Sequence, residues 1–248
     1  MNRRTEWPAG IDRPTRGYAR SVSTPEARVA ATIDHALLRP ELTPDDVEDG
    51  CELAARFQVA TVCCRPMDVA RCAKALSGTG VGTITVIGFP HGAHHTMAKV
   101  AEAEQALADG AVELDMVLPV GLVRAGDDEG VGADIAAVVR AAGGTGGAPV
   151  KVILETGYLT TDQIVRACLT AEAAGAAFVK TSTGYGPRNA SVEDVRLMRA
   201  TVSSTIGVKA AGGIRDLADA LALLDAGATR LGTSSTATIL GGGRATGY

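Results

Sequence analysis

No window of this sequence approaches the run of about 18 uncharged apolar residues that marks a membrane-spanning helix. A transmembrane role is therefore not expected. Excess positive charge is also missing, and a net charge of −4 gives no electrostatic reason to expect nucleic acid or an anionic membrane as partner. The N-terminus, MNRRTEWPAGIDRPTRGYARSVSTPEARVA, lacks a hydrophobic h-region and does not read as a secretory signal. Metal-type CxxC spacing is absent. The five cysteines, Cys51, Cys63, Cys64, Cys72 and Cys168, are odd in number and two are adjacent, which fits reduced thiols in a cytoplasmic protein.

What is present is apolar bulk and a repeating joint. Apolar residues make up 46% of the 248, enough to bury the core of one α/β barrel or of two small domains. Three helical patterns close on Gly-Ala and run straight into a strand: ALADGAVELDMV, AEAAGAAFVKTS and LLDAGATRLGTS. Gly110, Gly175 and Gly227 stand where a helix ends in the left-handed conformation, the αβ turn of a repeating β/α fold. Helix starts agree. Thr43-Pro44-Asp45-Asp46 offers an N-cap with proline and acid in the first turn, Thr160-Thr161-Asp162-Gln163 fits a capping box, and Ser191 opens another helix.

Strand candidates are 32–37, 59–64, 83–88, 112–118, 150–155, 178–182, 207–211 and 229–233, with helical segments in the gaps. Eight such units in about 220 residues fit a (β/α)8 TIM barrel. An open, doubly wound sheet is the rival. The barrel is expected to form one catalytic domain over 25–240, after a loosely packed extension over 1–24 that Trp7 can pin, and before a flexible tail over 241–248.

Charges inside apolar strands are the chemical signal. In FVKTSTGYG, alternation puts Phe178, Lys180 and Ser182 on one face, and an unpaired ammonium there would be costly. The same test finds Asp34, Glu113 with Asp115, Lys151 with Glu155, and Lys209. Any one pair can be a structural ion pair. Three lysines and four acids in one barrel point instead to a function that tolerates the cost, since buried ion pairs seldom improve on apolar packing. Amine catalysis fits: burial or a neighbouring cation disfavours the ammonium, and the free amine forms a Schiff base with a carbonyl. Lys180 and Lys209 lie on consecutive strands, so one can activate the other.

A second constellation closes the chain. Gly212 and Gly213 follow a strand in VKAAGGIRD, and Gly232 with Ser234 and Ser235 follow the last strand in RLGTSST. Exposed backbone N–H groups and hydroxyls there suit an anion, and TIM barrels bind phosphate at the loops after strands seven and eight. His91, His94 and His95 in GFPHGAHH sit in a loop without HExxH spacing or a carboxylate nearby in sequence, so no metal site is assigned to them. Cys63 reads as core, although it shares a strand face with Thr61 and can line a cavity.

These residues together resemble the deoxyribose-phosphate aldolase family. The blocks are IDHALL, VCCRP, GFPHG, VELDMV, KVILETGYL, FVKTSTG, VKAAGGIR and RLGTSS, in order from about Ala31 to Ser235. The resemblance implies a class I aldolase that needs no metal or organic cofactor. Its reaction would interconvert 2-deoxyribose 5-phosphate with acetaldehyde and glyceraldehyde 3-phosphate, a step of nucleoside catabolism. It implies Lys180 as the Schiff-base lysine, Lys209 as the lysine that perturbs it, Asp115 as the acid–base carboxylate acting through water, and Asp34 as the carboxylate holding Lys209. Cys63, Lys151 and Thr183 would support them, and Gly184, Gly212, Gly213, Gly232, Ser234 and Ser235 would bind phosphate. Partners would be the sugar phosphate and acetaldehyde, with a homodimer as the assembly.

The chain departs from the family pattern at Thr236, where a glycine is common, and at Pro187 and Arg188, where a glycine-rich stretch is common. A terminal tyrosine, here Tyr248, is shared with some members and would reach the active site. Two other readings stay open beside this one: a different Schiff-base lyase on the same barrel, and a sugar-phosphate sensor without turnover.

Overall fold

The computed structural model describes residues 24–144 and 146–245. The expected N-terminal extension, Trp7 included, lies outside the described residues except for Thr24, and so does Tyr248. Eight parallel strands close into a barrel in chain order. They are β1 (Ile33–Leu37), β2 (Thr61–Cys64), β3 (Gly82–Ile87), β4 (Glu113–Val117), β5 (Val150–Ile153), β6 (Phe178–Lys180), β7 (Gly207–Ala211) and β8 (Arg230–Thr233). Each gap carries at least one helix. β8 pairs with β1, setting Ile33 opposite Leu231 and Asp34 opposite Gly232, which excludes an open sheet. Among the described residues no helix is long and apolar enough to cross a membrane.

The repeated Gly-Ala joint is a helix stop made the same way three times. Gly110, Gly175 and Gly227 have φ of 105°, 90° and 109°. In each the glycine N–H and the following alanine N–H turn back onto the last helical carbonyls, as with Gly110 N to Leu107 O and Ala111 N to Ala106 O. This pattern satisfies carbonyls that would otherwise be orphaned and sends the chain into the next strand. At the helix starts, Thr43, Thr160 and Ser191 each cap a helix as the sequence predicts, Thr160 through the expected capping box, and Thr43 also forms a capping box with Asp46.

Strand alternation separates two environments. Ile33, Val62, Leu114, Val152, Val179, Val208 and Leu231 pack outward against the helices in one apolar cluster. Each such side chain contributes about 1.5–3 kcal/mol when buried, and together they offset the several kcal/mol that each buried ion costs. The barrel interior is divided. Cys63, Ile84 and Val86, with Leu38 and Phe89 against them, form its apolar part, while β1 and β4–β8 supply the charged part.

Two expectations about faces need correction. β5 ends at Ile153, and Glu155 takes a left-handed φ of 53° at the start of a short 3-10 turn, Thr156–Tyr158. Alternation therefore fails before Glu155, which does not share a strand face with Lys151. β6 likewise stops at Lys180, because the Thr181 hydroxyl replaces a ladder bond: it accepts from Ala211 N at 3.0 Å. Ser182 is buried beyond the strand end.

Candidate active site

Parallel register sets the lysines. Lys180 on β6 lies opposite Lys209 on β7, and Asp115 on β4 lies opposite Lys151 on β5. All four are buried, as is Asp34. Asp115 is the hub: Oδ2 accepts from Lys180 Nζ and from Lys209 Nζ, both at 2.7 Å, and Oδ1 accepts from Lys151 Nζ at 2.9 Å. Lys209 is also paired with Asp34. Asp34 in turn accepts from Thr61 Oγ1 and from Arg230 at 2.7 Å each. Below this layer Glu113 meets Lys151 at 2.5 Å and Arg230 at 3.1 Å, and both cations lie over the Phe178 ring.

The cluster thus sets four basic groups against three carboxylates, which leaves one proton too many for a buried site. The lysines do not share that burden equally. Burial pushes the Lys180 pKa below the ordinary lysine value, opposed by Asp115 and reinforced by Lys209. Burial acts on Lys209 in the same direction, but Asp115 and Asp34 outweigh it and hold its pKa above the ordinary value. Lys151 behaves like Lys209, held up by Asp115 and Asp34 against burial. Asp115 would be raised by burial, yet Lys151, Lys180 and Lys209 keep it well below the usual carboxylate range. Lys180 is therefore the lysine poised to shed its proton.

One cavity joins this cluster to the glycine and serine loops. Lys180, Lys209, Asp34, Cys63, Thr183, Gly212, Gly213, Gly232, Ser234 and Ser235 line it. Asp115 is buried and not among the lining residues, and it bonds two lysines that are. Burial pushes the Cys63 thiol up to about 11, so it stays protonated at neutral pH. Gly212 and Gly213 take φ of 85° and 75°. Gly232 serves a packing purpose as well, since a Cβ there would stand 2.9 Å from Ala211 Cβ and 3.2 Å from Lys209 Cε. Its bare backbone makes room for the lysine stem.

Other residues fall elsewhere. Gly184 is not among the cavity-lining residues; its φ of 91° lets Tyr185 N return to Thr183 Oγ1 at 3.0 Å. Glu155 leaves the lysine cluster and accepts instead from Thr183 N at 3.1 Å and from the Thr183 hydroxyl. His95 caps the helix Thr96–Ala108, accepting from Met97 N at 3.2 Å. Among the described residues no group of three His, Cys, Asp or Glu side chains is placed to hold a metal ion.

Sequence reasoning missed Arg39, Asn189 and Arg215 on the cavity wall and Arg230 beneath it. The first three sit in loops with no periodicity to betray them. Arg230 sits at a strand start, and its acidic partners are far away in sequence.

Comparison with known proteins places the chain in a family. The profile of the DeoC/LacD family aldolases matches residues 28–241. The chain belongs to that family. It is 48% identical over 215 residues to a deoxyribose-phosphate aldolase of Brevibacillus brevis, covering 87% of this chain and 96% of the relative. A deoxyribose-phosphate aldolase of Methanothermobacter thermautotrophicus is 48% identical over 217 residues, 87% of this chain and 95% of the relative. Among solved structures, a tetrameric deoxyribose phosphate aldolase of Aeropyrum pernix is 32% identical with a TM-score of 0.81, covering 87% of this chain and 91% of that one. This aldolase thus spans nearly the whole of its relatives.

Proposed function

We propose that this aldolase reversibly cleaves 2-deoxy-D-ribose 5-phosphate to acetaldehyde and D-glyceraldehyde 3-phosphate through a Schiff base on Lys180. The observation that carries the reading is that Asp115 Oδ2 lies 2.7 Å from both Lys180 and Lys209, while a second carboxylate pairs with Lys209 and not with Lys180. Lys209 has a second carboxylate, Asp34, and keeps its proton. Lys180, which shares only Asp115 with it, is the amine.

In this reaction the substrate phosphate lies against the Gly212-Gly213 and Ser234-Ser235 loops, with Arg39 and Arg215 at the same cavity. The Lys180 amine adds to the C1 aldehyde and loses water to give an iminium, the electron sink. Asp115, kept as a carboxylate by three lysines, takes the C3 hydroxyl proton through a water. The C2–C3 electrons move toward the iminium, glyceraldehyde 3-phosphate leaves, and an enamine remains. Protonation at C2 and hydrolysis release acetaldehyde and restore the amine. General acid–base help of this kind contributes about 10²–10⁴-fold.

Five free, buried cysteines support a reducing cytoplasmic setting. Self-association as a homodimer belongs to the same proposal, supported by the tetrameric Aeropyrum pernix relative and by exposed Met67 and Met97. The direct test is aldehyde release. Purified protein should liberate acetaldehyde from 2-deoxyribose 5-phosphate, and an inert but folded protein would leave a sugar-phosphate sensor as the reading. Release from a different phosphorylated carbonyl compound alone would favour another Schiff-base lyase.

A further inference from the structure

We propose that Asn189 is a side-chain ligand of the substrate's phosphate, and so a residue that sets the preference for phosphorylated substrates. The inference rests on the reading of the Gly212-Gly213 end of the cavity as the phosphate end. Asn189 lines that cavity beside Gly212, Gly213 and Arg215. Its side chain lies against the paired glycines: a Cβ on Gly212 would stand 2.6 Å from Asn189 Oδ1, and one on Gly213 would stand 2.8 Å from Asn189 Cβ. The carboxamide and the two left-handed glycines therefore form one continuous wall, into which no larger residue fits at 212 or 213.

The loop is built to hold that wall in place. On one side, Arg188 is paired with Asp194 and donates to Thr156 O at 2.9 Å. On the other, Ser191 caps the helix Val192–Thr201 by accepting from Asp194 N at 3.0 Å. Both anchors converge on Asp194, and Asn189 is fixed between them. Its half-buried carboxamide forms no hydrogen bond among the described residues. A fixed polar group without an internal partner on a cavity wall is available to a ligand. A carboxamide brings two N–H donors and no charge, so it can orient a phosphate oxygen while the exposed Arg39 and Arg215 supply positive potential. Arg188, one of the departures from the family pattern, acquires a purpose here. It pins the loop that presents Asn189.

The test compares kcat/KM for cleavage of 2-deoxyribose 5-phosphate and of unphosphorylated 2-deoxyribose, with thermal melts alongside. Asn189→Ala should lower kcat/KM for the phosphorylated sugar by about 10- to 100-fold, chiefly through KM, the range expected for a hydrogen bond to a charged group. Turnover of 2-deoxyribose should stay within about twofold of the parent. Asn189→Asp should lose more on the phosphorylated sugar alone, because it sets a carboxylate against the phosphate. Should Asn189→Ala not fold, Asn189→Ser carries the same comparison. Equal loss on both sugars, or no loss on either, overturns the role of Asn189. A parent enzyme that does not favour the phosphorylated sugar overturns the phosphate reading itself, a distinct failure.

Discussion

Lys180 and Lys209 face each other across β6 and β7, and both donate to a single oxygen of Asp115. By this contact alone the two amines are equivalent, at 2.7 Å each. Asp34 breaks the tie by pairing with Lys209 and not with Lys180, so the same buried site holds one lysine charged and lets its neighbour become an amine.

Lys209→Leu should therefore raise the Lys180 pKa, because it removes a like charge while leaving Asp115 in place. Below that pKa the free-amine fraction falls about tenfold for each unit gained. Activity at pH 7 should drop by one to two orders of magnitude and recover in part as pH rises. Asp34 keeps Thr61 and Arg230 at 2.7 Å, so the variant should still fold. A pH–rate profile superimposable on that of the parent would reduce Lys209 to a substrate contact.

Gly232→Ala tests the packing of Lys209 without touching any charge. The new methyl would meet Ala211 Cβ at 2.9 Å and crowd the Lys209 stem. Overpacking of this kind costs about 1–3 kcal/mol, so Tm should fall by several degrees. Displacing Nζ from Asp115 should also lower kcat about tenfold or more. A melt and kcat both equal to the parent's would show that the lysine stem tolerates the methyl.

Much of this could be read from the chain. The Gly-Ala joints marked three helix ends correctly because the left-handed turn has one inexpensive residue, and alternation found the charged face of β4, β6 and β7. What alternation could not supply was the end of a strand. Glu155 looked like an inward partner of Lys151, yet the chain turns left-handed there and the carboxylate goes to Thr183. Arg230 escaped notice for another reason: its role depends on Asp34 and Glu113, brought near only when β8 closes on β1.

The tail supplies a further prediction. Ala245 N donates to Arg215 O at 2.9 Å and Arg244 pairs with Asp216, so the last described residues run beside the cavity rim. Tyr248, outside the described residues, is proposed to act from there on enamine protonation. Deleting it should slow hydrogen–deuterium exchange at the acetaldehyde methyl by about tenfold or more while Schiff-base formation persists. Unchanged exchange would make the tail idle.

The identity of the amine that becomes covalent decides the mechanism. Treating the enzyme with acetaldehyde and borohydride, then mapping peptides by mass spectrometry, should place the reduced adduct on Lys180. An adduct found mainly on Lys209 or Lys151 would contradict the assignment, because Asp115 and Asp34 together hold both charged while burial and Lys209 push the Lys180 pKa down.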